Sequence, residues 1–250
     1  MKYYEICFSP TGGTQKVADA VTKGLPQSAI KIDLTDAKGN FDSISLTKED
    51  VALIAVPSYS GRVPETAAAR IARLQGHSAS AILICVYGNR AYEDTLVELQ
   101  DIVHQAGFKV MAAVAEHSIA RRYAAGRPDE EDRTQLAAFA SQIAQKIASG
   151  DTCEPKIPGH RPYRKAGATG IVPKPTKACI NCGVCARKCP VGAINPADSR
   201  KVDKKACISC MRCVAVCPHS ARKVNGLMLC LVNAILKKDC SQRKVNELYL

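Results

Sequence analysis

Eleven of the thirteen cysteines fall in the last hundred residues, and eight of them form two copies of one pattern. "CINCGVCARKCP" begins at Cys179 and "CISCMRCVAVCP" at Cys207. Each reads C-x2-C-x2-C-x3-C-P, and every position recurs 28 residues on. Three cysteines this close in a loop can wrap one cube of iron and sulfide, while the fourth leans away and reaches a neighbouring cube. One quartet is then Cys179, Cys182, Cys185 and Cys217. The other is Cys207, Cys210, Cys213 and Cys189. Pro190 and Pro218 turn the chain after each fourth ligand. A zinc ribbon would use two C-x-x-C pairs and leave the third and fourth cysteines of each run without a task. Cys153, Cys230 and Cys240 lie outside the pattern and are read as non-ligands. Cys7 and Cys85 sit in apolar runs, as small buried hydrophobes would.

A second stretch with chemical content is "FSPTGGTQK", residues 8–16. It reads as a strand running into a glycine turn and then a helix. Ser9, Thr11 and Thr14 offer hydroxyls. Gly12 and Gly13 let the backbone approach a ligand closely. The amides that open the helix, with its dipole, favour an anion. No lysine stands where a nucleotide triphosphate loop would carry one. The loop therefore suits a phosphate held by neutral donors.

The elements around this loop follow from hydrophobic patterning. Apolar, β-rich runs at 3–8, 29–34, 51–56, 81–87 and 108–115 alternate with helical patterns at 15–24, 64–74, 93–106 and 129–148. Strands apolar on both faces, separated by helices, predict a parallel sheet covered on both sides. Ligands on such sheets bind at the carboxyl ends of the strands, where the glycine turn lies.

Here the chain resembles the flavodoxin family, whose phosphate loop Ser/Thr-x-Thr-Gly-x-Thr is matched by Ser9, Thr11, Gly12 and Thr14. The resemblance covers residues 1–150 and implies an α/β, doubly wound, five-stranded parallel sheet of order 2-1-3-4-5. It also implies FMN, with its phosphate in this loop and its ring between two later loops. The first is "PSYSGRVP", with Pro57, Ser58, Tyr59 and Gly61; the second is "YGNRAY", with Tyr87, Gly88, Asn89 and Tyr92. Tyr59 or Tyr92 would stack on the ring, and amides near Gly88 and Asn89 would bond its polar edge. His117 would face the same edge in a structural role.

The cysteine repeat resembles the bacterial two-cluster ferredoxin module, a smaller α+β domain over 172–226 with two [4Fe-4S] clusters. A Pro/Gly-rich linker at 151–171 precedes it, and a C-terminal helix at 227–250 follows. Leu227, Leu231 and Ile235 recur at helical spacing and are expected to pack back on the protein. The whole resembles the fused flavodoxin–ferredoxin proteins of anaerobic bacteria called the EFR1 type. That implies an electron-transfer flavoprotein; the alternative is an FMN-dependent reductase of a small molecule or quinone, an oxidoreductase fed by the clusters.

Charge divides with the domains. Residues 1–150 carry 16 Lys+Arg against 17 Asp+Glu, and residues 151–250 carry 19 against 6. Two oxidised clusters with their thiolates remove only roughly four charges from that surplus. An acidic redox protein, a ferredoxin or flavodoxin, is the expected partner. The cations belong to no nucleic-acid recognition motif. No apolar run is long enough to predict a transmembrane helix. The N-terminus runs straight into a strand without a signal peptide, so a cytoplasmic protein is expected.

Overall fold

The computed structural model describes residues 1–117, 126–167 and 170–250. Residues 118–125, in the 116–132 segment whose role the sequence leaves open, and the His117 side chain lie outside that description. The first half alternates β1 (Tyr3–Cys7), α1 (Gly13–Thr22), β2 (Ala29–Asp33), β3 (Val51–Pro57), α2 (Glu65–Ile71), β4 (Ser80–Tyr87), α3 (Thr95–Gln105), β5 (Lys109–His117) and α4 (Glu130–Ser149). The strands pair in the order β2-β1-β3-β4-β5, all parallel. This is the flavodoxin-like order of a doubly wound sheet. Leu53, Ile54, Ile82, Leu83 and Ile84 are at most 1% exposed, so both faces of the central strands are covered. One face packs under Val17, Ala18 and Val21 of α1 and Leu136, Ala140 and Ile143 of α4. The other packs under Ala67 and Ile71 of α2 and Leu96, Leu99 and Val103 of α3. In each helix these residues sit three or four apart, the spacing of one buried face.

The second half is built from short pieces. β6 (Lys174–Pro175) pairs antiparallel with β7 (Arg222–Lys223), and two single-turn helices, α5 (Val184–Arg187) and α6 (Arg212–Ala215), lie between them. Its small core is Cys185, Cys189, Ala193 and Ile194. Residues 151–167 are irregular and meet α3 and the residue before it. Asp94 accepts from the His160 and Arg164 amides at 2.9 and 2.7 Å, and Arg161 and Tyr163 both bond Asp101.

The C-terminal region departs from expectation twice. The helix is α7 (Gly226–Cys240), shorter than 227–250, and the chain then crosses to a sixth strand, β8 (Glu247–Tyr249). β8 pairs antiparallel with β5, so the five-stranded parallel sheet gains an antiparallel edge. The other departure is that Leu227, Met228, Leu231 and Ile235 are exposed rather than packed back. Along α7, Leu229, Val232, Asn233 and Leu236 are half-buried, and at its end Cys240 is 2% exposed.

Residues 241–246 form a strap held by polar contacts. Arg243 pairs with Asp129, Glu131 and Asp132. Arg127, 7% exposed, clasps Asp132, which is fully buried, and also donates to the Lys244 carbonyl. Asn246 donates to Asp132 and Gln135. Removing one partner of such a pair strands a buried charge. Asp132→Ala, which leaves Arg127 without its carboxylate, should therefore cost about 3–5 kcal/mol in urea unfolding followed by circular dichroism. Arg127→Met combined with Asp132→Leu should lose much less. A neutral single variant would contradict this role for the pair.

Candidate cofactor sites and their junction

The cysteine repeat is also a repeat of backbone conformation. Asn181 and Ser209 (φ 58° and 55°), Gly183 and Met211 (76° and 61°), and Gly192 and Ser220 (63° and 46°) are left-handed at matching places. Gly183 and Met211 immediately precede α5 and α6. These bends curl each cysteine run around a hollow. For Met211 the left-handed form costs roughly 1–2 kcal/mol, and the loop closure around it must hold that conformation.

Two cavities result. One is lined by Cys207, Cys210, Cys213 and Cys189, the other by Cys179, Cys182, Cys185 and Cys217. Each gathers three cysteines of one run and the fourth of the other. All thirteen cysteines are free. Among the described residues no three metal-binding side chains converge as they would on a single ion. The eight sulfurs stand around hollows instead, as a cluster bridged by its own sulfides requires. Burial pushes the Cys210 thiol up to about 11 and that of Cys213 up to about 12, with Arg222 pulling Cys213 the other way. Thiols this reluctant to ionise become thiolates when a bound cation supplies the charge. The donor set fits iron–sulfur clusters.

The phosphate loop is shaped from both sides. Gly12 has φ +89° and open space around the position a Cβ would take. Ser9 Oγ accepts from the Gln15 amide at 2.9 Å, which draws the loop closed over the start of α1. Thr14 is buried and Thr11 exposed. The first-turn amides of Gly13 and Thr14 have no intrahelical acceptor. On the outer side lies Arg212, from the loop between Cys210 and Cys213. Its Nη1 donates to the Ser9 and Pro10 carbonyls at 3.3 and 3.2 Å, and its Nη2 lies 3.8 Å from Asp33. In a trans peptide the N–H points opposite to the C=O. Fixing the Pro10 carbonyl toward Arg212 thus turns the Thr11 amide toward the loop interior. Arg212 Nε is buried with no acceptor. A buried orphan donor beside a glycine loop rich in free amides fits an anion there.

The two later loops meet each other. Pro57 ends β3, and the Ser58 amide donates to the Val86 carbonyl at 2.8 Å. Tyr59 and Arg62 exchange both backbone hydrogen bonds around Ser60 and Gly61, whose φ values are 54° and 78°, a hairpin turn that suits glycine. A Cβ on Gly61 would lie 1.9 Å from Glu93 of the next loop. Burial, with Cys210 nearby, raises the Tyr59 phenol well above its ordinary range.

The side chains of Asn89 and Tyr92 have partners of their own within the protein. The Asn89 amide donates to the Cys240 and Gln242 carbonyls at 2.6 and 2.7 Å. The Tyr92 hydroxyl bonds Glu247 and, at 2.7 Å, Tyr249, while its ring stands edge-on to Tyr87 at 5.2 Å. Asn89 is engaged by the end of α7 and the strap, and Tyr92 by β8, neighbours that the sequence does not reveal. Gly88, just before Asn89, is half-buried. Arg212, Arg222 and Ser199 are the site residues that sequence reasoning misses. Two are single cations in a basic domain and the third a lone serine, so none has a local signal.

Residues 178–222 match the 4Fe-4S dicluster domain family. The second half therefore carries a 4Fe-4S dicluster domain. A flavodoxin from an archaeon shares 16% identity over 59% of this chain and 99% of its own, with a TM-score of 0.41. A Streptococcus pneumoniae flavodoxin shares 19% over 58% and 99%, at 0.42. The flavodiiron protein of Giardia intestinalis shares 17% over 59% of this chain and 36% of its own, at 0.40. No curated protein matches the chain significantly. The chain thus joins a sheet of flavodoxin-like strand order to a segment that matches a 4Fe-4S dicluster model.

Ligand crossing can be tested directly. Cys189→Ala should damage the cluster at Cys207, Cys210 and Cys213, and leave the one nearer in sequence intact. Paramagnetic resonance of the reduced protein distinguishes a three-iron remnant from a cube. Adding Cys179→Ala should damage the second cluster as well; damage confined to one cluster in the double variant would refute the pairing.

Proposed function

We propose that the chain is an electron-transfer protein that holds FMN at the phosphate loop and one [4Fe-4S] cluster in each cysteine cavity, and that exchanges electrons with an acidic redox protein. We place it in the cytoplasm with the fused flavodoxin–ferredoxin proteins of the EFR1 type. When bound, the clusters take single electrons and the flavin one or two. One observation carries the reading: Arg212, inside the second cysteine run, is bonded to the phosphate loop. Arg70 on the Pro190 carbonyl at 2.6 Å supports the same junction. Arg212 and Pro190 both line the Cys207 cavity. The Cys179 cavity, where exposed Arg187 and Arg200 donate to the Cys182 and Cys179 carbonyls, is left for an external partner. Free cysteines throughout suit a reducing compartment.

For the phosphate loop, Gly12→Val should strip flavin more completely than Thr14→Ala, measured as flavin retained after dialysis. The threonine change removes one neutral donor, about 1–2 kcal/mol. The glycine change forces a β-branched residue into a left-handed backbone and blocks the approach of phosphate. Full retention in both variants would end the assignment.

For the partner, the rate of electron exchange with an acidic ferredoxin should fall steeply as salt rises from ~0.01 to ~0.5 M, because exposed charges are screened beyond about 8–10 Å. Lys177→Glu with Lys188→Glu should flatten that slope. A rate indifferent to salt would rule out the docking.

A further inference from the structure

Arg222 is 2% exposed, yet every acceptor it reaches is neutral. Its Nη1 donates to the Pro173 carbonyl at 3.2 Å and its Nη2 to the Ser199 carbonyl. Its Nε is buried with no acceptor at all. Burying a guanidinium without an anion is severely unfavourable. Arg222 also lines both cysteine cavities. Ser199, 1% exposed, lines only the Cys179 cavity, and its hydroxyl is likewise buried and unpartnered. Two orphan donors thus stand on the walls of hollows that fit anionic clusters.

We propose that Arg222 is the shared counter-cation of both clusters and that Ser199 is a hydrogen-bond donor to the Cys179 cluster alone, so that these two residues set the reduction potentials. The proposal rests on the cluster assignment above. The charge argument fixes the sign. Reduction adds one electron to an anionic cluster, and a fixed cation or an aimed N–H or O–H stabilises the more negative state. Removing either donor lowers the potential. Because Ser199 borders one cavity and Arg222 borders two, the residues should leave different signatures. Arg222 and Ser199 bind no iron themselves; they act through the sulfur atoms as positioning and electrostatic groups.

The test is a redox titration of the full chain, purified without oxygen and followed by paramagnetic resonance. Ser199→Ala should lower one of the two midpoint potentials and leave the other in place. Arg222→Met should lower both. At a fixed poise, the reduced-to-oxidised ratio should fall at least tenfold, which is about 59 mV for a one-electron couple. Arg222→Lys should recover part of the loss by keeping the charge. If Arg222→Met does not retain iron, retention by Arg222→Lys carries the charge claim, and Ser199→Ala carries the selectivity claim. Unchanged potentials in iron-replete Ser199→Ala and Arg222→Met would overturn the proposal, as would loss of iron from the Met and Lys variants alike. Fewer than eight irons in the unaltered chain would remove the cluster assignment itself, and the proposal with it.

Discussion

Neither cysteine run can complete a cavity alone, and the rest of the second domain follows from that constraint. Cys189 must reach the hollow curled by Cys207, Cys210 and Cys213, while Cys217 must reach the one curled by Cys179, Cys182 and Cys185. The two runs are therefore bound into one unit despite a core of four buried residues and a ladder of two residue pairs. A region with so little apolar burial has little of the usual driving force for folding. On the proposed reading, metal–ligand bonds would supply it, with cluster assembly coupled to folding of this domain.

The same constraint fixes how the halves meet. Arg212 sits between Cys210 and Cys213, so its position is set by the cluster loop, and its guanidinium holds the outer carbonyls of the phosphate loop. The phosphate loop lies at the carboxyl edge of β1 because the doubly wound sheet places every β–α turn there. Two folds with unrelated driving forces thus present their binding loops to each other. On the far side of the sheet, the strap from 241 to 246 engages Asn89, and β8 pairs with the β5 edge, engaging Tyr92. An exposed edge strand is a pairing hazard, and β8, a short three-residue strand, covers part of the β5 edge.

The parallel sheet was legible because both faces of β3 and β4 are buried, which leaves unbroken apolar runs in the sequence; its strand order came from the resemblance carried by Ser9, Thr11, Gly12 and Thr14. The phosphate loop and the two cysteine runs were legible because their chemistry is local, with each residue within a few positions of the next. The strap was not. β8 has three residues and no period to detect, and its partners lie more than a hundred residues away. Arg127 and Asp132, which anchor the strap, form a buried pair that only the tertiary structure brings to residues 243–246. The exposed face of α7 was misread for a related reason: an apolar helical pattern reports what a helix could bury, not whether a neighbour is there to cover it. Arg212 and Arg222 were invisible as individuals, since in a domain this basic only position separates an interfacial cation from a solvated one.

The central claim is that flavin and clusters on one chain exchange electrons within that chain. Photoreduction of the flavin by a brief flash, followed by freeze-quenched paramagnetic resonance, tests it most directly. The account predicts that the cluster signal grows as flavin absorbance recovers, with a rate constant independent of protein concentration. A rate that scales with concentration, or a cluster signal that never appears while the chain holds both flavin and iron, would contradict it.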